Sequence, residues 1–223
     1  MNKELQKRLI TSIFLLSLLI LMSLYTFVLI ISLVVIAIIA WIEFYSLIHK
    51  IFINNNFMNK IFRFFFKAIS LFYMSLLVYL IMIPKINDKF FEIIIIYSIL
   101  ISIMSDVGGM VIGRIFKGKK LTKISPNKTI SGSIGSFIFS LLLIPFFSSH
   151  LITIVNPIIL FAITLIISFT SQAGDLFISL LKRKSKVKDT SDLLPGHGGI
   201  LDRIDGIIFA IPVGFLILNY FKL

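Results

Sequence analysis

Apolar stretches long enough to cross a lipid bilayer follow one another along most of this chain. A membrane-spanning helix needs about 20 mostly apolar residues, since the hydrocarbon layer is about 30 Å thick. Of the 223 residues, 58% are hydrophobic and 14% are charged, and the mean hydropathy is +1.04. Ordinary soluble domains do not reach these values. The sequence therefore predicts an all-α fold, a polytopic transmembrane helical bundle.

About seven spans are predicted. The first apolar run, residues 9–48, is too long for one helix, and no small-residue cleavage site follows a short apolar core. We therefore expect a retained helical hairpin rather than a signal peptide. The predicted spans are residues 9–25, 27–48, 67–84, 90–106, 133–149, 152–172 and 206–221.

Basic residues fall almost entirely on one side of this topology. Cytoplasmic loops retain Lys and Arg, and an N-terminus placed inside puts nineteen of the 22 basic residues in inside segments. Only Lys85, Lys89 and Lys222 then lie outside. We expect a cytoplasmic N-terminus. A chain of this kind suits a bacterial inner membrane, although an organelle membrane satisfies the same physics.

Two polar segments interrupt the apolar sequence. Residues 105–135 are rich in Gly and Lys, and residues 179–205 hold six basic residues, four Asp and His197. Cysteine is absent and the three His are scattered, which excludes disulfides and favours oxygen ligands for any metal.

Four of the ten acidic residues stand at the predicted ends of three spans, all on the cytoplasmic side: Asp106, Asp175, Asp202 and Asp205. A carboxylate near hydrocarbon is costly unless it is paired or binds a cation. Each alone could pair with a basic neighbour or cap a helix, but together they favour a functional site.

Mg²⁺ takes one or two carboxylates and completes its shell with phosphate and water. On a helix, Asp202 and Asp205 would share one face. This pattern indicates phosphoryl or nucleotidyl transfer.

The Gly- and Lys-rich segment allows several interpretations. It lacks the spacing of a P-loop, and the G-x-x-x-G pair Gly109 and Gly113 is more typical of helix packing. Its lysines allow two interpretations. They either set the membrane topology and attract anionic lipid, or they bind the phosphates of a substrate.

The residues of both polar segments resemble those of the phosphatidate cytidylyltransferase family. In the C-terminal segment the matching positions are Ser179, Lys182-Arg183, Lys188-Asp189, Leu194 to Gly199 and Asp202-Arg203-Ile204-Asp205. Upstream they are Gln172 to Phe177, Asp106, Gly108, Gly113-Arg114, Gly118-Lys119 and Ser125 to Thr129. The resemblance covers roughly the C-terminal half of the chain.

The resemblance implies a Mg²⁺-dependent reaction in which CTP and phosphatidic acid give CDP-diacylglycerol and pyrophosphate. We expect the chain to divide into an N-terminal transmembrane hairpin with a basic cytoplasmic loop, residues 1–66, and a catalytic transmembrane domain, residues 67–223, with cytoplasmic polar loops 106–132 and 173–205. The implied metal ligands are Asp175, Asp202 and Asp205, with Asp106 as a fourth candidate. The implied catalytic and substrate-binding residues are Lys128, Lys188, Arg203, Arg114, Lys119, Lys182, Arg183, Ser125 and His197.

Some assignments stay open. His197 either contacts a phosphate or holds its loop, and Ser125 either orients a phosphate or serves turn chemistry. Family members often carry Glu where this chain has Ser131 and Ile178, and Ile178 would share the helical face of Asp175.

Other functions are also open. They are cytidylyl transfer to another lipid phosphate, such as an isoprenoid-ether lipid, a membrane transporter, and an inactive scaffold. A transporter predicts acids at the bilayer midplane rather than at one face. The expected partners are CTP, phosphatidic acid and the lipid bilayer. A homodimer is left open, and no nucleic acid is expected.

Overall fold

The computed structural model describes residues 3–54, 56–87, 89–151 and 155–222. These residues form helices and connecting loops, and no strand occurs among them. The helices are α1 (Lys3–Leu24), α2 (Thr26–Ile51), α3 (Phe57–Asn87), α4 (Lys89–Phe116), α5 (Ile130–Leu141), α6 (Ile144–Leu151), α7 (Pro157–Lys184), α8 (Leu201–Ile204) and α9 (Ile207–Lys222). The sixth predicted span starts at residues 152–154, which lie outside the described residues.

The described residues include five helical stretches that are long and apolar enough to cross a membrane: Thr26–Ile51, Phe57–Met82, Phe91–Phe116, Ile130–Ser148 and Pro157–Lys184. Shorter apolar helices run over Leu9–Leu24 and Ile207–Phe221. The prediction of an all-α polytopic fold is confirmed, and the chain is a multi-pass membrane protein. The count of seven spans and the orientation of the N-terminus stay predictions.

Several helices run past their predicted ends. α3 begins at Phe57 rather than at residue 67, α4 continues beyond Asp106 to Phe116, and α7 continues to Lys184. The first residues of the predicted loops 106–132 and 173–205 are therefore helical, while the cytoplasmic location of these segments and the division of the chain after residue 66 stay predictions. The added helical turns of α3, α4 and α7 contain no proline. The glycines that follow Asp106 in α4 are tolerated because they contact a neighbouring helix.

The chain divides into two compact units. The first unit consists of Met1–Tyr79 and Leu181–Ile204, and the second of Leu80–Leu180 and Asp205–Leu223. In the first unit α2 packs against α1 and α8, and in the second unit α4 packs against α5 and α9.

Glycines bring α4 and α5 into close contact in the second unit. A Cβ atom on Gly135 would lie 2.7 Å from the carbonyl oxygen of Gly108, and one on Gly132 would lie 2.8 Å from the carbonyl oxygen of Gly109. One on Gly113 would lie 3.4 Å from the Cα of Gly132. Small residues allow the two backbones to approach closely. In lipid, where no hydrophobic effect drives helices together, the resulting van der Waals packing stabilises their association. The interpretation of Gly109 and Gly113 as a helix contact is confirmed.

Buried hydroxyl groups join α4 to α7 in the same unit. The hydroxyl of Tyr97 lies 2.6 Å from Oγ1 of Thr164, and the Oγ atoms of Ser102 and Ser171 are 2.7 Å apart. Water does not compete for such hydrogen bonds inside a bilayer. They therefore help to hold together the helices that carry Asp106 and Asp175.

We predict that Gly135→Leu lowers the free energy of unfolding by about 1–3 kcal/mol, the usual cost of overpacking. The new side chain would overlap that of Ile112 on α4. Ile134→Val is the control, because Ile134 is 54% exposed and its change should cost less than about 0.5 kcal/mol. Thermal unfolding in detergent measures both variants, and equal midpoints would contradict the helix contact.

Candidate functional site

A polar cavity of about 450 Å³ lies in the second unit. Its charged lining residues are Asp106, Arg114, Lys128 and Asp175. Glycines of α4 and α5 line it as well, so backbone groups are accessible there. Carboxylates beside cations suit a ligand that combines phosphate groups with a metal ion.

Asp106 and Asp175 come to this cavity from different helices, α4 and α7. Asp175 forms an ion pair with the ammonium of Lys128 through Oδ2, and its Oδ1 accepts a hydrogen bond of 3.3 Å from Ser179. The structure therefore brings together Asp106, Asp175 and Lys128, three of the residues singled out in the sequence. Their roles toward metal and phosphate stay predictions.

A turn in the loop between α4 and α5 positions Lys128. The backbone N–H of Lys128 donates to the carbonyl of Ser125 over 3.1 Å, and the N–H of Leu121 donates to the carbonyl of Lys128 over 2.8 Å. Thr129 then caps α5 by accepting a hydrogen bond of 3.1 Å from the N–H of Gly132. Ser125 closes the turn through its backbone and also lines the cavity, so both interpretations of this residue stay open.

Gln172 presents a polar atom with no partner to this cavity. Its Oε1 accepts a hydrogen bond of 2.6 Å from Ser133, whereas Nε2 is buried and has no hydrogen-bond partner among the described residues. A buried unsatisfied donor costs about 1–3 kcal/mol. An oxygen of a bound ligand would remove that cost, which makes Gln172 a candidate contact. In the sequence Gln172 stands out only as the first residue of the matching segment Gln172 to Phe177.

Asp205 is buried and is the first residue of Asp205–Leu223, the C-terminal segment of the second unit. Its Oδ1 accepts a hydrogen bond of 2.9 Å from the N–H of Gly206. This local bond competes with the helix, and α8 ends at Ile204. The helix that would place Asp202 and Asp205 on one face is therefore not formed. A Cβ on Gly174 would lie 2.9 Å from the carbonyl oxygen of Asp205, so glycine permits this close approach.

Asp202 is the centre of a hydrogen-bond network in the first unit. Its Oδ1 accepts from the ammonium of Lys182 over 2.6 Å. Its Oδ2 accepts from the N–H groups of Thr190 and Gly199, over 2.8 and 3.0 Å, and lies 3.0 Å from the hydroxyl oxygen of Thr190. Burial alone would raise the pKa of Asp202, but the Lys182 ammonium and these backbone N–H groups outweigh it and hold the pKa below its ordinary value.

Glu43 holds the same segment from α2. It is 4% exposed and accepts hydrogen bonds from the side chains of Thr190 and Ser191, over 2.8 and 2.5 Å, and from the N–H groups of Ile200 and Leu201, over 3.1 and 2.8 Å. Glu43 is not among the site residues that the sequence motifs predict. The available signal was a carboxylate inside an otherwise apolar span, which is costly without partners.

The turn around His197 has a defined geometry. Gly196 and Gly198 have φ angles of 77° and 81°, a backbone conformation that residues with a side chain rarely adopt. The N–H of His197 donates to the carbonyl of Leu194 over 2.8 Å, and Arg203 donates two hydrogen bonds to the carbonyl of His197. Nδ1 of His197 is buried without a partner among the described residues. His197 thus helps to hold the loop, and its contact with phosphate stays a prediction.

The other predicted cations differ in their surroundings. Lys119, Arg183 and Lys188 are exposed. Lys182 and Arg203 already contact Asp202 and His197 respectively. The assignment of these five residues to substrate phosphates stays a prediction.

The two departures from the family pattern have local explanations. Ser131 donates a hydrogen bond to the carbonyl of Lys117. Ile178 is 1% exposed and packs in the core of the second unit, whereas Asp175 lines the cavity. The side chain of α7 that contacts Asp175 is that of Ser179.

The donors of the polar cavity fit Mg²⁺. In the part of the chain that the structure describes, no three His, Asp or Glu side chains are placed to share a metal ion. Mg²⁺ needs only one or two carboxylates, since phosphate oxygens and water complete its octahedral shell. Asp106 and Asp175 supply two carboxylates, and Ser133 and Ser136 line the same cavity with hydroxyl oxygens.

Comparison with known proteins identifies relatives of this chain. Residues 1–221 match the sequence model of the cytidylyltransferase family. Proteins named phosphatidate cytidylyltransferase from Rickettsia typhi, Bacillus subtilis and Staphylococcus aureus are 44%, 38% and 43% identical over 117, 136 and 121 residues. These stretches cover 49%, 60% and 53% of this chain and 51%, 51% and 46% of the relatives. The chain thus spans about half the length of the curated relatives it matches. The resemblance noted in the sequence is confirmed.

We predict that Asp202→Asn removes a pH-dependent part of the stability. Because the folded pKa is lowered, the carboxylate stabilises the fold above its unfolded pKa of about 3.9 and loses this contribution as the pH falls through the folded value. The unfolding midpoint of the wild type should therefore fall more steeply below about pH 4 than that of the variant. Asp192→Asn, at an exposed position, should keep the wild-type profile. An equally steep profile in Asp202→Asn would show that the Asp202 carboxylate is not the source of this pH dependence.

We also predict that Glu43→Gln loosens the segment that Glu43 holds. The amide keeps only one acceptor oxygen for four donors, and each lost hydrogen bond to a charged group costs about 1.5–3 kcal/mol. Hydrogen exchange of residues 190–201 should become faster. Glu92→Gln, at an exposed position on α4, is the matched control and should leave this exchange unchanged. Equal protection in both variants would show that Glu43 is dispensable for the segment.

Proposed function

Because the chain belongs to the cytidylyltransferase family, we propose that it transfers a cytidylyl group from CTP to phosphatidic acid. The products are CDP-diacylglycerol and pyrophosphate. Relatives in three bacterial species carry the name phosphatidate cytidylyltransferase. In this chain the proposal rests on the cavity of the second unit, where Asp106 and Asp175 face Arg114 and Lys128.

The chemistry is a displacement at phosphorus. An oxygen of the phosphatidic acid phosphate forms a bond to the α-phosphorus of CTP. The bond from that phosphorus to the bridging oxygen breaks, and pyrophosphate leaves with the electron pair. The attacking phosphate is already anionic, so the reaction needs no strong general base. Positioning and charge neutralisation supply most of the rate.

We assign the phosphates of CTP to Lys128 and Arg114. The ammonium of Lys128 has three N–H donors, so it can keep its ion pair with Asp175 and still donate to a phosphate oxygen. Nε2 of Gln172 supplies a further donor. Lys119, Lys188 and the remaining predicted cations are proposed as secondary contacts on sequence grounds.

We propose Mg²⁺ as the cofactor, with Asp106 and Asp175 as its ligands in the second unit. Asp202 stays in the proposed set on the sequence pattern, and among the described residues its Oδ1 accepts a hydrogen bond from Lys182. Asp205 stays in it on the sequence pattern. When bound, Mg²⁺ supplies positive charge where negative charge develops on the phosphate oxygens.

We propose the inner membrane of a bacterial cell as the location. The charge distribution along the chain supports a cytoplasmic side rich in Lys and Arg. CTP would reach the polar segments from that side, and phosphatidic acid would reach them from the membrane.

We predict that the purified protein converts radiolabelled CTP into a lipid-extractable product only with both phosphatidic acid and Mg²⁺. Asp175→Asn should reduce this rate by roughly a hundredfold or more, the usual effect of removing one preorganised charged contact. Asp192→Asn, which changes an exposed carboxylate outside the cavity, should keep the wild-type rate.

Parallel reactions test the acceptor and the metal. One replaces phosphatidic acid with an isoprenoid-ether lipid phosphate, and another adds a chelator. A folded protein that labels only the ether lipid would change the proposed acceptor. A folded protein that labels neither lipid would refute cytidylyl transfer, and labelling that persists in the chelator would refute the metal.

A further inference from the structure

A second cavity, of about 400 Å³, lies in the first unit. We call it the basic recess. Its lining residues are Tyr45, His49, Lys60, Arg63, Phe64 and Lys67. It shares no lining residue with the cavity of the proposed reaction.

The positive charge of the basic recess follows from helix periodicity. Lys60, Arg63 and Lys67 are three and four residues apart, so they lie on one face of α3. Tyr45 and His49 are four residues apart and face the recess from α2. No acidic residue occurs among the described lining residues. The three cations therefore add their charges at one place, which favours an anionic ligand.

Aromatic rings hold one of these cations in place. The ammonium of Lys67 lies 5.0 Å from the ring centroid of Tyr45 and 5.5 Å from that of Trp41. Nε1 of Trp41 donates a hydrogen bond of 3.2 Å to the carbonyl of Lys67. Trp and Tyr are enriched where a membrane meets water. This arrangement is typical of the headgroup level of a bilayer.

Exposed aromatic side chains adjoin the basic recess. Phe64 lines it and is 75% exposed, and Phe65 is 55% exposed. Charged side chains such as Lys60 and Arg63 are costly in hydrocarbon, so the first turns of α3 belong at the headgroup level. Cations for a phosphate thus lie beside apolar rings for an acyl chain.

We propose that the basic recess binds the phosphate of an anionic phospholipid headgroup. Basic pockets beside membrane helices are suited to such headgroups, and 400 Å³ lies in the range of small-molecule sites, about 300–1,000 Å³. The bound lipid would hold the end of α2 and the start of α3 at the headgroup level.

Quenching of tryptophan fluorescence by brominated lipid tests this proposal. Trp41 is the single tryptophan of the chain and lies against Lys67, so it reports on lipid at the recess. The protein is reconstituted in phosphatidylcholine with increasing fractions of brominated phosphatidylglycerol, and in a second series with brominated phosphatidylcholine. We expect the anionic lipid to bind about tenfold more tightly or better, since each basic residue near an anionic lipid contributes about fivefold.

Two variants separate the basic recess from general surface charge. Lys60→Gln with Arg63→Gln should abolish most of the preference for anionic lipid. Lys50→Gln is the control, because it removes a charge at the end of α2 outside the recess, and it should keep the preference. Equal binding of both lipids by the wild type would overturn the proposal, as would an equal loss per charge in the control.

A competition experiment distinguishes lipid from free phosphate. Inorganic phosphate at millimolar concentration should not displace the brominated lipid; full displacement would identify a soluble phosphate as the ligand and overturn the proposal. The measurement uses neither CTP nor phosphatidic acid, so its failure is separate from failure of the proposed reaction. The variant in Lys60 and Arg63 should also keep the wild-type rate of cytidylyl transfer in detergent.

Discussion

The close approach of α4 and α5 at their glycines is the contact on which the polar cavity depends. It places the helix that carries Asp106 against the helix that Thr129 caps. The loop between these helices must then turn sharply, and its turn presents Lys128 to Asp175. Because lipid offers no hydrophobic drive for helix association, a side chain larger than hydrogen at these glycines would disturb packing and cavity together.

Two aspartates in this chain, Asp175 and Asp202, are each stabilised by an ion pair with a lysine. Asp175 pairs with Lys128 in the second unit, and Asp202 pairs with Lys182 in the first. An unpaired carboxylate at such positions would be costly. In each pair the lysine meets one carboxylate oxygen, while shorter or less flexible donors meet the other. Each pair therefore leaves both oxygens of the carboxylate with a hydrogen-bond partner.

The parts of the fold that were predictable from sequence depend on local pattern. Apolar length predicts the spans, and the spacing of Gly109 and Gly113 predicts their helix contact. The helix ends were harder, because α4 continues past Asp106 where tertiary contact stabilises its glycines. A continuous helix would place Asp202 and Asp205 on one face, but α8 ends at Ile204, and the N–H of Gly206 donates to Oδ1 of Asp205. Glu43 was missed because its partners lie 147 to 158 residues away.

The long reach of Glu43 has a consequence for how the chain is made. The hairpin of α1 and α2 is synthesised first, whereas the donors to Glu43 follow only at Thr190 to Leu201. During that interval the carboxylate lacks the donors that satisfy it in the folded chain, and an isolated charge is costly near hydrocarbon. The hydrogen bonds of Glu43 are therefore completed only after residues 190–201 have been made, so the first unit closes around this carboxylate late in synthesis.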